Sequence, residues 1–309
     1  MEDVSVGRAL GAGFGLIRRH PGAIAVWTVV YILLAVLPAY GVMAMMQPLY
    51  AQLAQNAASG HAGATSPAML QSQMQMLQIE PAGWLLGLVC QALLLGAAYR
   101  AVLFPQERGF FYLRLGMREL WLGLTFLVLV ILLLVAMFIV MLPMMIVAGI
   151  AAAATAGGSG SGVGAGVAVL FGFIALFGGL GVLFWMGLRL SLALPMSFAE
   201  RRFRLFESWD RTRGLGWTLF GTAAVIVGLL LVGEVVIGMI GFLLTGPAAI
   251  LKWLGSTAAP QEAFARVMPI MIGAGLVLAP LATLYFALFG GAWAQFYRDL
   301  TPATEDVFS

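Results

Sequence analysis

The chain has 309 residues, of which 62% are hydrophobic and 9% are charged, and its formal net charge is +3. Soluble domains carry about 25% charged residues, so this composition excludes an ordinary soluble domain and indicates a membrane protein. The basic residues stand at the ends of apolar runs and form no single patch, so no nucleic-acid partner is expected.

Six apolar runs are each long enough to cross a bilayer, whose hydrocarbon core of about 30 Å needs about 20 helical residues. The longest uncharged stretch lies between Glu119 and Arg189, and at about 1.5 Å per residue it is far too long for one span. It must therefore turn at its Gly/Ser-rich middle, residues 157–162, and cross back. The predicted spans are residues 22–46, 83–104, 120–152, 163–199, 216–245 and 267–297.

These spans predict an all-α polytopic membrane protein with six transmembrane helices and one integral membrane domain over residues 1–309. Several prolines fall inside the runs, and we expect kinks in the helices that contain Pro143, Pro195 and Pro280. The long outer loop, residues 47–80, is too short and too poor in apolar anchors to form an independent domain. Within it, residues 69–79 are predicted to form at least one helical turn.

Positively charged residues predict the orientation of the chain in the membrane. Of the sixteen lysines and arginines, thirteen precede the first span, follow the last span, or fall at the second and fourth connections. Such residues stay on the cytoplasmic side, so both termini are predicted to be cytoplasmic in a bacterial inner membrane. Tryptophans support the span boundaries, because their rings prefer the interface and they stand at predicted span starts: Trp27, Trp84, Trp121 and Trp217.

Three segments on the predicted cytoplasmic side mix arginine with aromatic or aliphatic residues: residues 6–20, 109–120 and 203–214. This pattern predicts short interfacial helices on the inner leaflet, with arginines near the lipid headgroups. The candidate inner-leaflet contacts are Arg18, Arg19, Arg114, Arg118, Arg204, Arg211 and Arg213.

Each of these segments precedes an outward-going span, which indicates a possible threefold repeat of helical hairpins. The repeats would cover residues 1–104, 105–200 and 201–309. The alternative is that every inner connection of a six-span protein is basic and amphipathic, whether or not the chain repeats.

Three polar residues inside predicted spans are candidates for an intramembrane site. Glu234 in the fifth span and Gln91 in the second have similar predicted depths, so a contact between them is geometrically plausible. Glu234 is then either part of a functional polar site or a structural carboxyl between helices. Arg189, in the fourth span, either extends toward lipid phosphates or binds an anion in an inward-facing cavity.

The sequence contains no catalytic constellation. Its two histidines, His20 and His61, fall on opposite sides of the predicted bilayer, and no zinc-protease, nucleophile-elbow or P-loop motif occurs. Methionines are frequent on the predicted outer side, but no cysteine or second histidine completes a Cu(I) site, so neither metal nor cofactor is predicted. Acidic residues near the inner surface are predicted to form solvated pairs with arginines: Glu107, Glu119, Glu200, Glu207 and Asp210.

The fourth connection carries the most specific pattern in the chain. An arginine-containing span ends in a proline, and a serine-rich helix and a threonine-x-glycine entry into the next span follow. This pattern resembles the membrane domain attached to some glycerophosphodiester phosphodiesterases, and related bacterial inner-membrane proteins that carry that domain alone. The residues that carry the resemblance are Arg189, Ser191, Pro195, Glu200, Ser208, Trp209, Asp210, Arg211, Thr212, Arg213, Gly214 and Trp217.

The resemblance covers roughly residues 185–220 closely and the rest of the chain only by the layout of its spans. These 309 residues include no catalytic phosphodiesterase barrel, so the resemblance implies a membrane module and not an enzyme. The first hypothesis is a non-catalytic inner-membrane protein that engages membrane lipids, or partner membrane proteins, in envelope maintenance. The second is a secondary transporter with a polar site at Glu234, and a membrane-embedded lipid enzyme comes last.

Overall fold

A computed structural model of the chain describes residues 5–45, 67–107, 109–156, 162–245 and 260–301. Over these ranges the secondary structure is helical and contains no strand. Six helical segments are long and apolar enough to cross a membrane. The predicted all-α polytopic fold is therefore confirmed.

The long helices agree with the predicted spans, and several of them extend further. The predicted fifth span ends where its helix ends, whereas the helix of the third span has 40 residues and is about 60 Å long. In chain order the helices are α1 (Val6–Arg19), α2 (Pro21–Met45, with a π-helical turn at Ile32–Val36), α3 (Pro67–Leu103), α4 (Met117–Ala156), α5 (Gly162–Leu190), α6 (Ala193–Glu200), α7 (Glu207–Arg211), α8 (Gly216–Thr245) and α9 (Pro260–Leu300).

Two predicted connections are only partly visible. Residues 69–79 of the predicted outer loop are helical, as expected, and belong to the first turns of α3. The rest of that loop up to residue 66, and residues 157–161 of the Gly/Ser turn, lie outside the described residues.

The prolines inside the predicted spans have different effects. α4 and α9 continue through Pro143 and Pro280. The predicted fourth span instead divides into α5 and α6, and Pro195 lies in the first turn of α6, where its missing N–H leaves no helical hydrogen bond unmade. Ser191, between the two helices, donates its hydroxyl to the Leu188 carbonyl at 2.7 Å.

The last helix, α9, is the centre of the packing, because it contacts α1, α2, α3, α6 and α8. Its closest approach is to α1, where two glycines meet. A Cβ atom built on Gly291 would lie 2.6 Å from the Gly13 Cα, so the backbones can come this close only without side chains there. The first and last helices are thereby held together.

The largest fully buried side chains collect at one end of the bundle: Trp27, Tyr99, Phe198, Trp293, Phe296 and Tyr297. This arginine-rich end is formed by α1, residues 104–107 and 109–116, residues 191–215 and the last turns of α9. Farther along the spans, large apolar side chains are exposed, for example Phe138, Phe177 and Val232, as expected for surfaces that face lipid. The most deeply buried part of the core therefore lies at the arginine-rich end.

The three segments predicted as interfacial helices differ from one another. The first forms α1, but one face of α1 is buried against α9 and only the opposite face is exposed. The helix predicted over 109–120 is wrong, because a 3₁₀ turn at Phe110–Tyr112 and an extended Leu113 precede α4. The third segment contains only the short α7. Because the segments are unlike, they give the repeat no support, and it stays a prediction.

Candidate functional site

The arginine-rich end contains a cavity of about 500 Å³ between α1, α3 and α9. Arginines from both ends of the chain line it, and small residues of α1 form one wall. The lining residues are Arg8, Gly11, Ala12, Gly15, Leu16, Arg19, His20, Ala101, Val102, Pro105, Tyr112, Gln295 and Arg298. The cavity is thus bordered by three guanidinium groups and by no carboxylate.

The ends of α1 place two of these arginines. Ser5 caps the start of the helix, because its hydroxyl accepts a hydrogen bond from the Arg8 N–H at 3.3 Å. Arg19 stands in the last turn, and the helix ends at His20, whose N–H bonds the Leu16 carbonyl. Pro21 then begins α2 at once, so Arg19 and His20 stand together at the junction of the two helices.

The third arginine is held by α9. Arg298 donates from Nη2 to Gln295 Oε1 at 2.7 Å, and Gln295 donates from Nε2 to Asp299 Oδ1 at 2.6 Å. Arg8 Nε lies 4.0 Å from Asp299 Oδ2. Asp299 is therefore already engaged, and it does not line the cavity wall.

A second cavity, of about 620 Å³, adjoins the first and shares Arg19, His20 and Tyr112 with it. The Tyr112 hydroxyl lies 3.4 Å from His20 Nε2, and the two rings meet edge to face. Phe110 and Phe111 border this second cavity on its other side. The junction of α1 and α2 consequently stands between two openings.

The turn at Phe110–Tyr112, which borders the second cavity, has an unusual backbone. Phe111 and Tyr112 have φ angles of 49° and 64°, in the left-handed region that costs energy for residues with a Cβ. Two buried donors hold it: Trp27 Nε1 donates to the Phe111 carbonyl at 2.9 Å, and Arg100 Nη1 donates to the Tyr112 carbonyl at 2.6 Å. The sequence prediction missed this turn and the role of both donors.

Arg100 also forms a buried ion pair with Glu119, with 3% and 2% of the two side chains exposed. The prediction that Glu119 belongs to a solvated pair is wrong, because α3 and α4 pack closely here. Gly96 makes room for the carboxylate: a Cβ on Gly96 would lie 3.1 Å from Glu119 Cγ. The Oε2 atom of Glu119 is buried and has no hydrogen-bond partner among the described residues.

The predicted inner-leaflet arginines separate into two groups. Four of them pair with acids, namely Arg118 with Glu107, Arg204 with Glu200 and Glu207, Arg211 with Glu200, and Arg213 with Asp210. The pKa of Arg204 is raised, because Glu207 accepts a hydrogen bond from its guanidinium. Arg18, Arg19 and Arg114 are exposed and have no acidic partner in the part of the chain that the structure describes.

Arg189 lies in an aromatic setting that the sequence did not predict. Its guanidinium carbon is 5.4 Å from the centre of the Trp185 ring and 5.9 Å from that of Trp209. Its Nε and Nη1 atoms are buried without a hydrogen-bond partner among the described residues. Cation–π attraction therefore compensates part of the cost of burying this charge.

Glu234 and Gln91 are not brought together, although they are predicted to lie at similar depths. Gln91 lines an apolar cavity between α2, α3 and α4, whereas Glu234 lines one between α2, α8 and α9. Among the described residues no hydrogen bond joins the two side chains. The two side chains line different cavities: Gln91 lines the one beside α4, and Glu234 lines the one beside α9.

No protein-family model, curated protein or solved structure matches this chain. The resemblance to the membrane domain of glycerophosphodiester phosphodiesterases therefore stays a prediction. The class of protein is defined by the fold alone: a six-span helical membrane protein.

Proposed function

We propose that this protein is a non-catalytic membrane module that engages anionic phospholipids through its arginine-rich end. In this proposal the arginine-rich end lies on the cytoplasmic side of a bacterial inner membrane, where the positive-inside rule would place it. Lipid headgroups, in place of a protein partner, are then the ligands of the unpaired arginines.

One observation carries the proposal: arginines that have no acidic partner among the described residues alternate with exposed apolar side chains at this end. Arg114 and its neighbour Leu115 are both exposed, and Phe110 is 71% exposed. Arg18 and Arg19 stand on the exposed side of α1 near Phe14. Such a surface suits the interface, because apolar groups enter the acyl boundary while guanidinium groups meet anionic headgroups.

The test measures which lipids the full-length protein retains. The protein is reconstituted in mixed phosphatidylcholine and phosphatidylglycerol nanodiscs, and bound lipids are counted by native mass spectrometry. Replacing Arg18 and Arg114 together by glutamine removes about 2 kcal/mol of attraction, so the preference for phosphatidylglycerol should fall by up to about 30-fold at low salt.

The matched control replaces Arg204 and Arg213 by glutamine, which removes the same charge from arginines that are paired with acids. We expect this control to keep most of the preference for the anionic lipid. Equal losses in the two double variants, or a preference that ignores salt, would contradict the proposal.

A secondary transporter is the second candidate, because Glu234 lines a cavity of about 450 Å³ in the middle of α8. Tyr31 and Tyr285 line the same cavity from α2 and α9. A carboxyl group inside a span is costly to keep, and such groups often mark an ion or proton path. Coupled transport requires that Glu234 change its ionisation during turnover.

Glu234→Gln separates the two candidates. We expect the variant to keep its thermal stability in detergent and to complement a deletion strain fully, because no bond of the described residues depends on the carboxylate. Gln91→Leu serves as a control for a polar residue lost from a neighbouring cavity. Loss of complementation by a folded Glu234→Gln protein would favour transport and count against the lipid module.

A further inference from the structure

We propose that the cavity between α1, α3 and α9 is a binding site for a phosphate group, carried by a lipid headgroup or by a soluble phosphate ester. This inference rests on the proposed function and names one site within it. It differs from general attraction to an anionic surface, because a specific set of side chains encloses the ligand.

The charge of the cavity wall points to an anion. Arg8, Arg19 and Arg298 converge on one space from the first and last helices, and none of the thirteen lining residues is acidic. Planar guanidinium groups donate paired hydrogen bonds that match the oxygens of a phosphate. The C-terminal end of α1 carries partial negative charge, so the attraction must come from these arginines and not from the helix dipole.

The size and shape of the cavity suit a headgroup. Its volume of about 500 Å³ falls within the range of about 300–1,000 Å³ that is typical of small-molecule sites. Gly11 and Gly15 leave open space on the α1 side, since a Cβ atom on either would meet nothing within 4 Å. A large side chain at either position would have room to extend from α1 into the cavity.

The helices that carry the arginines do not depend on the ligand for their placement. The close crossing of Gly13 and Gly291 fixes α1 against α9, and Arg298 is held by Gln295 at 2.7 Å. His20 and Tyr112 brace the junction beside Arg19. A site whose backbone, and whose Arg298 side chain, are held in place before binding loses less conformational entropy when the ligand arrives.

Arg18 supplies an internal comparison for the test. It neighbours Arg19 in the last turn of α1, has the same charge, is also exposed, and does not line the cavity. An effect of general surface charge must therefore be alike for Arg18 and Arg19. Of these two arginines, only Arg19 should show an effect that depends on the cavity.

The experiment measures binding to the full-length protein in uncharged detergent by calorimetry and by thermal shift. The probes are inorganic phosphate, glycerol 3-phosphate and a short-chain phosphatidic acid, and short-chain phosphatidylcholine is the comparison lipid. We expect at least one phosphate probe to bind the unaltered protein more tightly than phosphatidylcholine does. Binding of phosphatidic acid alone assigns the site to a lipid, and binding of the soluble esters assigns it to a free phosphate compound.

The variants then locate the binding. Arg19→Gln and Arg298→Gln should each weaken it by about tenfold, the effect of losing one charge-assisted hydrogen bond. Arg18→Gln should weaken it far less, because Arg18 lies outside the cavity and the uncharged detergent gives it no anionic leaflet to contact. Gly15→Leu should weaken it as well, by filling the cavity without changing charge. The thermal stability of each variant without ligand shows that the fold is intact.

Two results would overturn the inference. Absence of binding by all three phosphate probes excludes the site. Equal effects of Arg18→Gln and Arg19→Gln would show that these arginines act only through general surface charge. The proposed lipid engagement would still stand in that case. Failure of the site and failure of the proposed function are thus told apart by separate measurements.

Discussion

Arg100 and Glu119 have a structural role, in contrast to the exposed arginines at the same end of the bundle. Both charges are removed from water, so their attraction must offset a desolvation cost of several kcal/mol for each group. The pair also stabilises the backbone, because Arg100 donates a hydrogen bond to the carbonyl of Tyr112, which lies in the left-handed turn. Removing one partner alone should therefore be far more harmful than removing both.

We predict that Glu119→Leu destabilises the protein by about 3 kcal/mol, because Arg100 is left buried without its main counter-charge. This is the low end of the usual range, since Glu107 Oε2 lies 3.5 Å from Arg100 Nε and compensates in part. Unfolding in detergent, followed by circular dichroism, measures the change. The double variant Arg100→Met with Glu119→Leu should recover most of the loss.

Asp210→Leu is the matched control, because Asp210 pairs with Arg213 while both side chains are more than two-thirds exposed. An exposed pair of this kind contributes at most about 1 kcal/mol. If Glu119→Leu were as mild as Asp210→Leu, the buried pair would not have the role assigned to it here.

The sequence could not distinguish these two kinds of acid. Glu119 and Asp210 both stand near arginines along the chain, and spacing alone says nothing about burial. What buries Glu119 is the approach of α3, where Gly96 leaves room for its carboxylate. Likewise, His20 and Gln295 became site residues only when α1 and α9 met.

At the scale of elements, the contact of α1 with α9 positions the candidate site. α1 is amphipathic, as its sequence predicts, yet its buried face packs on protein and not on lipid: Ala9, Gly13 and Leu16. The distinction matters for function, because a helix fixed to α9 holds Arg8 and Arg19 at set positions beside Arg298. A helix lying loosely on the leaflet could not define a cavity.

We predict that Gly291→Val separates α1 from α9, because the new Cβ would lie 2.6 Å from the Gly13 Cα. The free energy of unfolding should fall by about 1–3 kcal/mol, the usual cost of overpacking, and phosphate binding in the cavity should be lost. Limited proteolysis at Arg18 and Arg19 by trypsin detects release of α1 directly.

Gly7→Ala is the control on α1, since a Cβ at Gly7 would meet nothing within 4 Å. It should leave proteolysis unchanged and stabilise α1 slightly through better helix propensity. Equal cleavage of the Gly291→Val protein and the unaltered protein would show that the glycine crossing does not hold α1.

Local pattern predicted the long helices better than the connections. α8 begins and ends at its predicted bounds because an unbroken apolar run is sufficient to define a span. The helix predicted over 109–120 failed because its turn depends on distant donors: Trp27 and Arg100 bind carbonyls from α2 and α3. A conformation selected by tertiary contacts leaves no signal in the segment itself.

At the scale of the whole molecule, the first and last helices of the described residues meet. α1 and the last turns of α9 share the arginine-rich end, where Arg8 Nε lies 4.0 Å from Asp299 Oδ2. An even number of membrane crossings puts the start of the first span and the end of the last span on the same side of the membrane. Six spanning helices meet this condition. The same arrangement collects arginines from the start, the middle and the end of the sequence on one side of the bundle.

This arrangement makes the orientation in the membrane testable as a single property of the molecule. The positive-inside rule predicts that the arginine-rich end faces the cytoplasm, and this requires every connection at that end to share one side. Reporter fusions after Ser309 and within residues 105–118 should report the cytoplasm. Fusions within residues 50–75 and 157–162 should report the outside.

The decisive position is the Gly/Ser segment, because the long uncharged stretch crosses the bilayer twice only if it turns there. An alkaline-phosphatase fusion within residues 157–162 should be active and a green-fluorescent-protein fusion at the same point dark, with the opposite pattern after Ser309. Adding four arginines to residues 157–162 is expected to disturb insertion, whereas four added after Thr301 should be tolerated. A cytoplasmic signal at residues 157–162 would overturn the six-span arrangement, and with it the placement of the arginine-lined cavity on the cytoplasmic side.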